Sequence, residues 1–521
     1  MRRRFKGLRR QPPEDRYDAV VIGAGVGGLV CANLLVRQGL SVLLVERHYM
    51  VGGYCSTFRR GGFTFDAASH FYPLLGNPET LTGKLLLNLG VRTRWVRMDP
   101  VDTFHFPDGS RFEVPAELDV YRRRLDHEFP HQRQALDEFF AAVRRAYAKG
   151  LMVYFRERPE THLGDLAPLT VTDALDRHIS DPKLRLLLTA DCPHWGSPPE
   201  RTSFVFDSML RLSYFLGNYY PVGGSQAFAD ELARTFEARG GHILMSTAAE
   251  RIEVEGDRVA GVRLTTDRGT LRGEYRVAAP VVVSNGDLLH TDRTLLATDR
   301  GSRPKSTGDG TYRHLRPSYP CFLVHIGLSD VSPAELAEAQ GYYWRHWDPD
   351  RVGRDGLICK IFSPTLYDPS LAPEGGQIVI LQKVQEIDYP RLEAEGRWAE
   401  HKAAVEAEMF GHLARVMPGI EQRVVVRSAA SAHTSWRFTG NTQGAMLGWE
   451  MSPDQLGSDR PGLEGAAEGL YRVGHWVRPG GGITPVIVSA QQVAQRIFAG
   501  AAASNAARAS TTLEWSEATS P

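Results

Sequence analysis

The chain has 521 residues, 42% hydrophobic and 23% charged, which is too long for one core and ordinary for two or three globular domains. Lys plus Arg and Asp plus Glu are both 61, a balance that offers no electrostatic grip on nucleic acid. Five cysteines without a CxxC pair argue against a disulfide frame and a metal site and fit a reducing, cytoplasmic compartment, and no apolar run of about 18 residues offers a membrane span.

The first segment, MRRRFKGLRRQPPE, has six basic residues in its first ten and no apolar stretch behind them. It does not read as a secretory signal, and residues 1–15 are expected to form a solvated disordered arm, with attraction to anionic lipid at the membrane periphery as the alternative. From Tyr17 the pattern sharpens. Ala19-Val20-Val21-Ile22 is the β-branched run of a strand buried on both faces, and Gly23, Gly25 and Gly28 follow at once. Leu29, Ala32, Leu35 and Val36 then share a helical face, Gly39 stops the helix, and Val42-Leu43-Leu44-Val45 is a second strand ending in Glu46.

This is a complete βαβ unit with a dinucleotide fingerprint. Gly23 suits a tight turn, Gly25 close approach to a pyrophosphate, and Gly28 close packing of helix on strand. The helix N-terminus offers N–H groups and a positive dipole end to phosphate, and Glu46 can accept both hydrogen bonds of a ribose diol. Beyond Arg47, a second glycine turn at Gly52-Gly53, followed by Ser56-Thr57, lets the backbone run beside a pyrophosphate and flavin.

VVIGAGVGGL, ERHYMVGGYCSTF and GGFTFDAASH together resemble the N-terminal signature of the FAD-dependent phytoene desaturase, carotenoid isomerase and retinol saturase family, within the amine-oxidase-like flavoproteins. The resemblance implies an α/β architecture: a Rossmann-like FAD-binding domain of the GR2/amine-oxidase-like kind, with a discontinuous α+β substrate domain and helical cap. FAD would be held noncovalently by residues 16–76, 219–299 and 465–500, while 77–218 and 300–464 would form the substrate and cap part. In that family the segment RRGGFTFDAASHFY passes beneath the flavin, which makes Ser69 and His70 candidates for contact with the ring or the substrate, His70 for proton transfer, and Phe71 and Tyr72 for substrate contact.

Between 77 and 218 the pattern turns to amphipathic helices, such as Leu136, Phe139, Phe140 and Val143 on one face, with a hairpin turning at Asp108-Gly109. YYPVGGS at 219–225 returns to the nucleotide domain, Ser225 being read as a helix N-cap, and a hairpin turns at Gly256-Asp257. On its first strand Ala249 stands where the family commonly has valine at the adenine. Val281-Val282-Val283-Ser284 is another buried strand, 300–318 a polar linker, and 321–328 and 377–382 two further strands. The aromatic cluster at 341–347 can line a tunnel or fill a core, core filling being the more frequent use.

HTSWRFTGN at 433–441 and GAMLGWE at 444–450 resemble the isomerase and saturase branch, which would place Trp436, Phe438 and Trp449 against substrate. Glu450 is the acid to test there, with an ion-paired structural role as the alternative. At the C-terminal end, Gly474 would lie against the pyrophosphate, and His475 departs from the small or acidic residue usual in the family. Gly482 and Ile483 would bring a helix N-terminus, read as capped by Thr484, to the flavin pyrimidine, where its dipole stabilises reduced flavin. After Gly500 the Ala/Ser/Thr-rich tail is expected to be disordered.

The resemblance implies a redox enzyme that desaturates a lipophilic polyene or isoprenoid by hydride transfer to FAD. No second GxGxxG follows a strand, so electrons must pass to or from an outside partner such as quinone, oxygen or a reductant. Two alternatives stand beside it: cis–trans isomerisation or double-bond saturation on reduced flavin, and non-catalytic binding of prenylated partners in the manner of GDP dissociation inhibitors.

Overall fold

The computed structural model describes residues 14–158, 160–190, 192–266, 273–296 and 312–517. Residues 1–13 of the basic arm and 300–311 of the linker lie outside them. The βαβ unit forms where the glycine pattern places it, as β1 (Ala19–Ile22), α1 (Val26–Arg37) and β2 (Val42–Glu46). β3 (His242–Met245), β4 (Val281–Ser284) and β5 (Leu470–Arg472) complete a parallel sheet in the order β5-β4-β1-β2-β3. Three distant stretches of chain thus supply one sheet.

Burial on both faces explains the continuous apolar runs. Val21, Leu44, Ile243 and Val283 point to α1, to α2 (Ser225–Glu237) and to α3 (Ile483–Glu517). Val20, Leu43, Leu244 and Val282 alternate to the other face, where an antiparallel three-stranded sheet covers them with Val262, Leu264 and Val277. That smaller sheet contains the hairpin expected at Gly256-Asp257, between Thr247–Glu255 and Arg258–Thr266.

A second, seven-stranded sheet runs in the order Val424–Ala430, Cys321–Ser329, Gly376–Val384, Leu357–Phe362, Gly341–Trp344, Asp102–His105 and Arg111–Val114. Its pairs are antiparallel except that between Gly341–Trp344 and Asp102–His105. Helices Leu118–Glu128, Arg133–Gly150, Val171–His178, Pro182–Thr189 and Phe204–Phe215 pack together as a cap. Tyr342 and Trp344 are buried in this cap core, so the aromatic cluster fills space.

Three local expectations change. Gly224, at φ +76°, is the N-cap of α2, and the Ser225 N–H is satisfied by Asp66 Oδ1 at 2.7 Å. A carboxylate from a distant hairpin replaces the local hydroxyl. α3 starts at Ile483, and Thr484 donates to the Pro73 carbonyl at 3.1 Å, since inside the first turn its hydroxyl is free to tie another segment. The α3 backbone runs on to Glu517 where a disordered tail was expected; alanine, frequent after Gly500, has the highest helix propensity and extends a helix already nucleated by packing.

Candidate functional site

One cavity of about 1940 Å³ opens between the parallel sheet, the seven-stranded sheet and the cap, roughly twice the upper size of an ordinary small-molecule pocket. Its nucleotide end is built from glycines. Gly23 takes φ +94°, and a Cβ on Gly28 would lie 2.1 Å from the Gly23 carbonyl oxygen, so α1 can meet β1 only there without a side chain. Gly28 therefore packs helix on strand and does not line the cavity. Gly25, at the N-terminus of α1, bridges to Gly52, and the Gly52 N–H donates to the Ala24 carbonyl at 2.8 Å.

Glu46, at the tip of β2, accepts from the Ala24 N–H and the His48 N–H, each at 2.7 Å. Burial pushes its carboxyl up, against those two donors and Arg47, which favour the charged form. Two ribose hydroxyls would add donors of the kind the carboxylate already collects. Arg47, Gly53, Ser56, Thr57 and Ala249 line the same cavity, as do Gly474, His475, Gly482 and Ile483 from the C-terminal end. The sites expected to hold one cofactor are thus brought together.

Asn285, which sequence reasoning passed over, joins the three stretches. A Cβ would lie 2.8 Å from its Nδ2 at Gly25, 2.6 Å from its Oδ1 at Gly27 and 3.0 Å from that oxygen at Gly474. An amide wedged among three bare backbones fits the crowding a dinucleotide pyrophosphate requires; the only clue in sequence was its place after the buried β4 run. His475 Nε2 donates to Asn441 Oδ1 at 3.1 Å, and Trp476 Nε1 donates to the same oxygen at 2.9 Å. Burial, with Arg460 adding, pulls His475 down to about 3, so it faces the cavity uncharged.

On the substrate side His70 and Phe71 line the cavity, and Trp436 and Phe438, 47% and 51% exposed, stand at its rim. Three other candidates do not reach it. Tyr72 is buried in the nucleotide core and donates to Ser225 Oγ at 2.6 Å, because its side chain points opposite to Phe71. Trp449 packs edge-on against Trp476, ring centroids 4.9 Å apart, in the same core. Glu450, 1% exposed, is gripped by Arg201 at 2.8 and 3.2 Å and by Arg316 at 3.1 Å, and faces those cations instead of the cavity. Its structural alternative is the one the geometry supports.

His194 was missed. It lines the cavity with its two ring nitrogens 2.7 Å from the Tyr214 hydroxyl and 2.6 Å from the Tyr342 hydroxyl. Burial lowers its proton affinity, as it does for His70, pulled to about 3, and His325, pulled to about 4. Above pH 6.5 such histidines are neutral folded or unfolded. Below it the unfolded chain binds protons that the folded chain refuses, so stability falls as pH drops from 6.5 toward 4, by about 1.4 kcal/mol per unit for each. The thermal midpoint is expected to fall steeply between pH 6.5 and 5; a flat profile there would show these rings are not held neutral.

A parallel sheet with a glycine cradle, a terminal acid on its second strand and a returning C-terminal helix defines a dinucleotide-binding flavoprotein. A sequence profile of the flavin-containing amine oxidoreductases matches residues 26–498, and the chain belongs to that family. It is an FAD-dependent oxidoreductase. It is similar to a chloroplastic prolycopene isomerase of Daucus carota, 26% identical over 512 residues that cover 93% of this chain and 80% of the relative. It is 27% identical to a zeta-carotene-forming phytoene desaturase of Myxococcus xanthus, covering 92% and 93%. Among solved structures, an oxidoreductase from Methanosarcina mazei shares the fold at TM-score 0.64 and 19% identity, covering 92% and 99%.

Proposed function

We propose that the enzyme desaturates a lipophilic polyene or isoprenoid. The observation that carries this reading is the far arm of the cavity, walled by Tyr147, Leu151, Phe155, Phe206, Met209 and Leu210 and continuous with the glycine cradle. Such a wall offers a long apolar molecule burial without polar handles, and the relatives named for carotenoid chemistry support the same substrate class. When bound, FAD supplies a two-electron acceptor for the hydride of a C–H bond beside the conjugated chain, a proton leaving the next carbon to complete the alkene.

The chain's own residues position and exclude water. Gly23, Gly25, Glu46, Gly52, Gly53 and Gly474 would hold the nucleotide, and the N-terminus of α3 at Ile483 directs its dipole into the cavity. His70 is neutral near pH 7, so it can accept a hydrogen bond but has no proton to give as an imidazolium.

Anaerobic addition of candidate carotenoids to the oxidised flavoprotein is expected to bleach the flavin and create a more conjugated product. Product formed only on prereduced flavin would replace desaturation by isomerisation or saturation, a second reading favoured by the isomerase relative. Glu450→Gln should bleach at the parent rate while lowering thermal stability, and His70→Ala should slow bleaching by roughly tenfold or more if the ring orders the substrate.

Reoxidation requires an outside acceptor such as quinone or oxygen. Among the described residues no helix is long and apolar enough to cross a membrane. Substrate would enter past Trp436, Phe438 and Tyr49, exposed at the cavity rim beside Arg47 and Arg437, a pairing of aromatic and cationic side chains suited to a lipid interface. Co-sedimentation with anionic vesicles should fall when Trp436 and Phe438 are both replaced by serine; unchanged sedimentation, or none to begin with, removes that route.

A further inference from the structure

The floor of the chamber is the inner face of the seven-stranded sheet, and for an apolar ligand it is oddly polar. Cys321, Leu323 and His325 alternate into the cavity from one strand. Register sets Gln382 opposite Leu323, Lys360 opposite Gln382, and Ser428 opposite His325. His70 joins this face from the nucleotide side, its ring stacked on Phe362 with centroids 4.9 Å apart and planes 10° apart. His70, His325, Gln382 and Ser428 all line the cavity, and the first three are 4%, 1% and 9% exposed.

The hydrogen bonds of this patch are incomplete. Gln382 Oε1 and both ring nitrogens of His70 are buried without a well-formed hydrogen bond among the described residues, the Ser69 backbone being near the His70 ring but poorly aligned with it. The other end of the Gln382 amide faces the Cys321 thiol, so exchanging the amide oxygen and nitrogen would still leave one group unpaired. His325 Nε2 bonds the Asp66 carbonyl at 2.9 Å and Ser428 Oγ accepts from Arg60 at 2.9 Å, which fixes the neighbours in place. Native interiors leave few such groups unpaired, and those at a cavity wall point to something that completes them.

Charge narrows what that is. Lys360 Nζ is spent on Asp102 at 2.6 Å and lies 3.8 Å over the Phe71 ring. Burial keeps His70 and His325 uncharged at neutral pH. His70 and Gln382 therefore present neutral acceptors and donors, suited to a hydroxyl or carbonyl oxygen, and the cation lining the cavity beside this patch, Arg60, is engaged with Ser428 Oγ.

We propose that His70 and Gln382, backed by His325, bind an alcohol or carbonyl oxygen on the substrate, so that the chamber prefers an oxygenated isoprenoid to the hydrocarbon of the same skeleton. This rests on the polyene reading of the chamber and narrows it. A hydrocarbon seated here would seal the unpaired groups away from water, whereas an oxygenated one would pair them, and sites of that kind discriminate against the analogue lacking the oxygen.

The test uses the flavin-loaded protein and matched pairs, β-carotene with zeaxanthin and axerophtene with retinol, titrated by flavin fluorescence and polyene absorption. The hydroxylated member of whichever pair binds should bind roughly tenfold more tightly. Gln382→Leu should bring the two members level by weakening the alcohol alone. Equal or tighter binding of the hydrocarbon to the parent protein overturns the inference and leaves the polyene reading standing; no binding of any polyene overturns both. A Gln382→Leu protein that keeps its preference for the alcohol while its flavin absorption band shifts also overturns it, because the amide would then serve the cofactor. If Gln382→Leu does not fold, Gln382→Met takes its place, and the parent ratio decides in either case.

Discussion

Gly28→Val is expected to yield a protein without visible flavin absorbance and with FAD affinity lowered more than about a hundredfold. Even the Cβ of alanine would stand 2.1 Å from the Gly23 carbonyl oxygen, 3.2 Å from Asn285 Cβ and 3.3 Å from the Gly23 carbonyl carbon. Two of those atoms are backbone in the tight turn itself, so nothing flexible can yield. Relief comes only by lifting α1 off β1, which moves the helix N-terminus and Gly25 away from the pyrophosphate position and pushes Asn285 toward Gly27. Overpacking of this kind costs about 3 kcal/mol before any cofactor contact is counted. Gly411→Ala is the matching control: in the helix Trp398–Val416 an added Cβ meets nothing within 4 Å among the described residues, and stability should rise by up to about 1 kcal/mol. Flavin content measured after gel filtration separates the two, and a yellow Gly28→Val protein would mean that the cradle does not depend on this packing.

That prediction could be framed from sequence because every part of the βαβ unit is local: strand, turn, helix and acid follow one another within a few dozen residues, and each residue type has a single backbone role. The return of the chain at Tyr219 and again at Gly474 was legible for the same reason. What stayed hidden depends on residues far apart. Asn285 looks like any polar residue after a strand until Gly25, Gly27 and Gly474 close on it. Gln382 sits in an apolar run, and only the strand register shows that it faces inward beside Leu323. Glu450 stood open between an acid and an ion-paired role because glycine spacing says how closely backbones approach and nothing about which way the next side chain turns; Arg201 and Arg316, both remote in sequence, decide for the ion pair. Thr484 and Ser225 look like caps by residue type, yet the structure assigns them to Pro73 and Asp66, contacts that no local pattern encodes.

Arg460 is the residue whose loss should do the most damage outside the glycine cradle, and its role rests entirely on such distant contacts. It is 1% exposed, and no carboxylate pairs with it among the described residues. Burial pulls it down to about 9, which leaves it cationic at neutral pH. Its guanidinium donates instead to four backbone carbonyls: Val477 at 3.1 Å, Glu450 at 3.2 Å, Trp449 at 3.2 Å and His475 at 2.7 Å. Two chain segments are thereby stitched together at a place where a Cβ on Gly448 would lie 2.4 Å from the His475 carbonyl oxygen. One segment continues from Leu447 and the other from Gly474, both on the cavity wall, so the clamp sets the spacing of the walls that receive the flavin. Arg460→Met fills similar volume but leaves three buried carbonyls unpaired and the fourth, that of Glu450, with Gln455 Nε2 at 3.4 Å alone, at a cost of roughly 3–5 kcal/mol, and should lower both the thermal midpoint and flavin retention. Arg460→Lys keeps the charge with three donors on one point in place of a planar fork, and should fall between the two. The ordering parent, lysine, methionine in flavin affinity is what a clamp requires; a methionine variant that binds flavin as the parent does would show that the two walls hold their spacing without it.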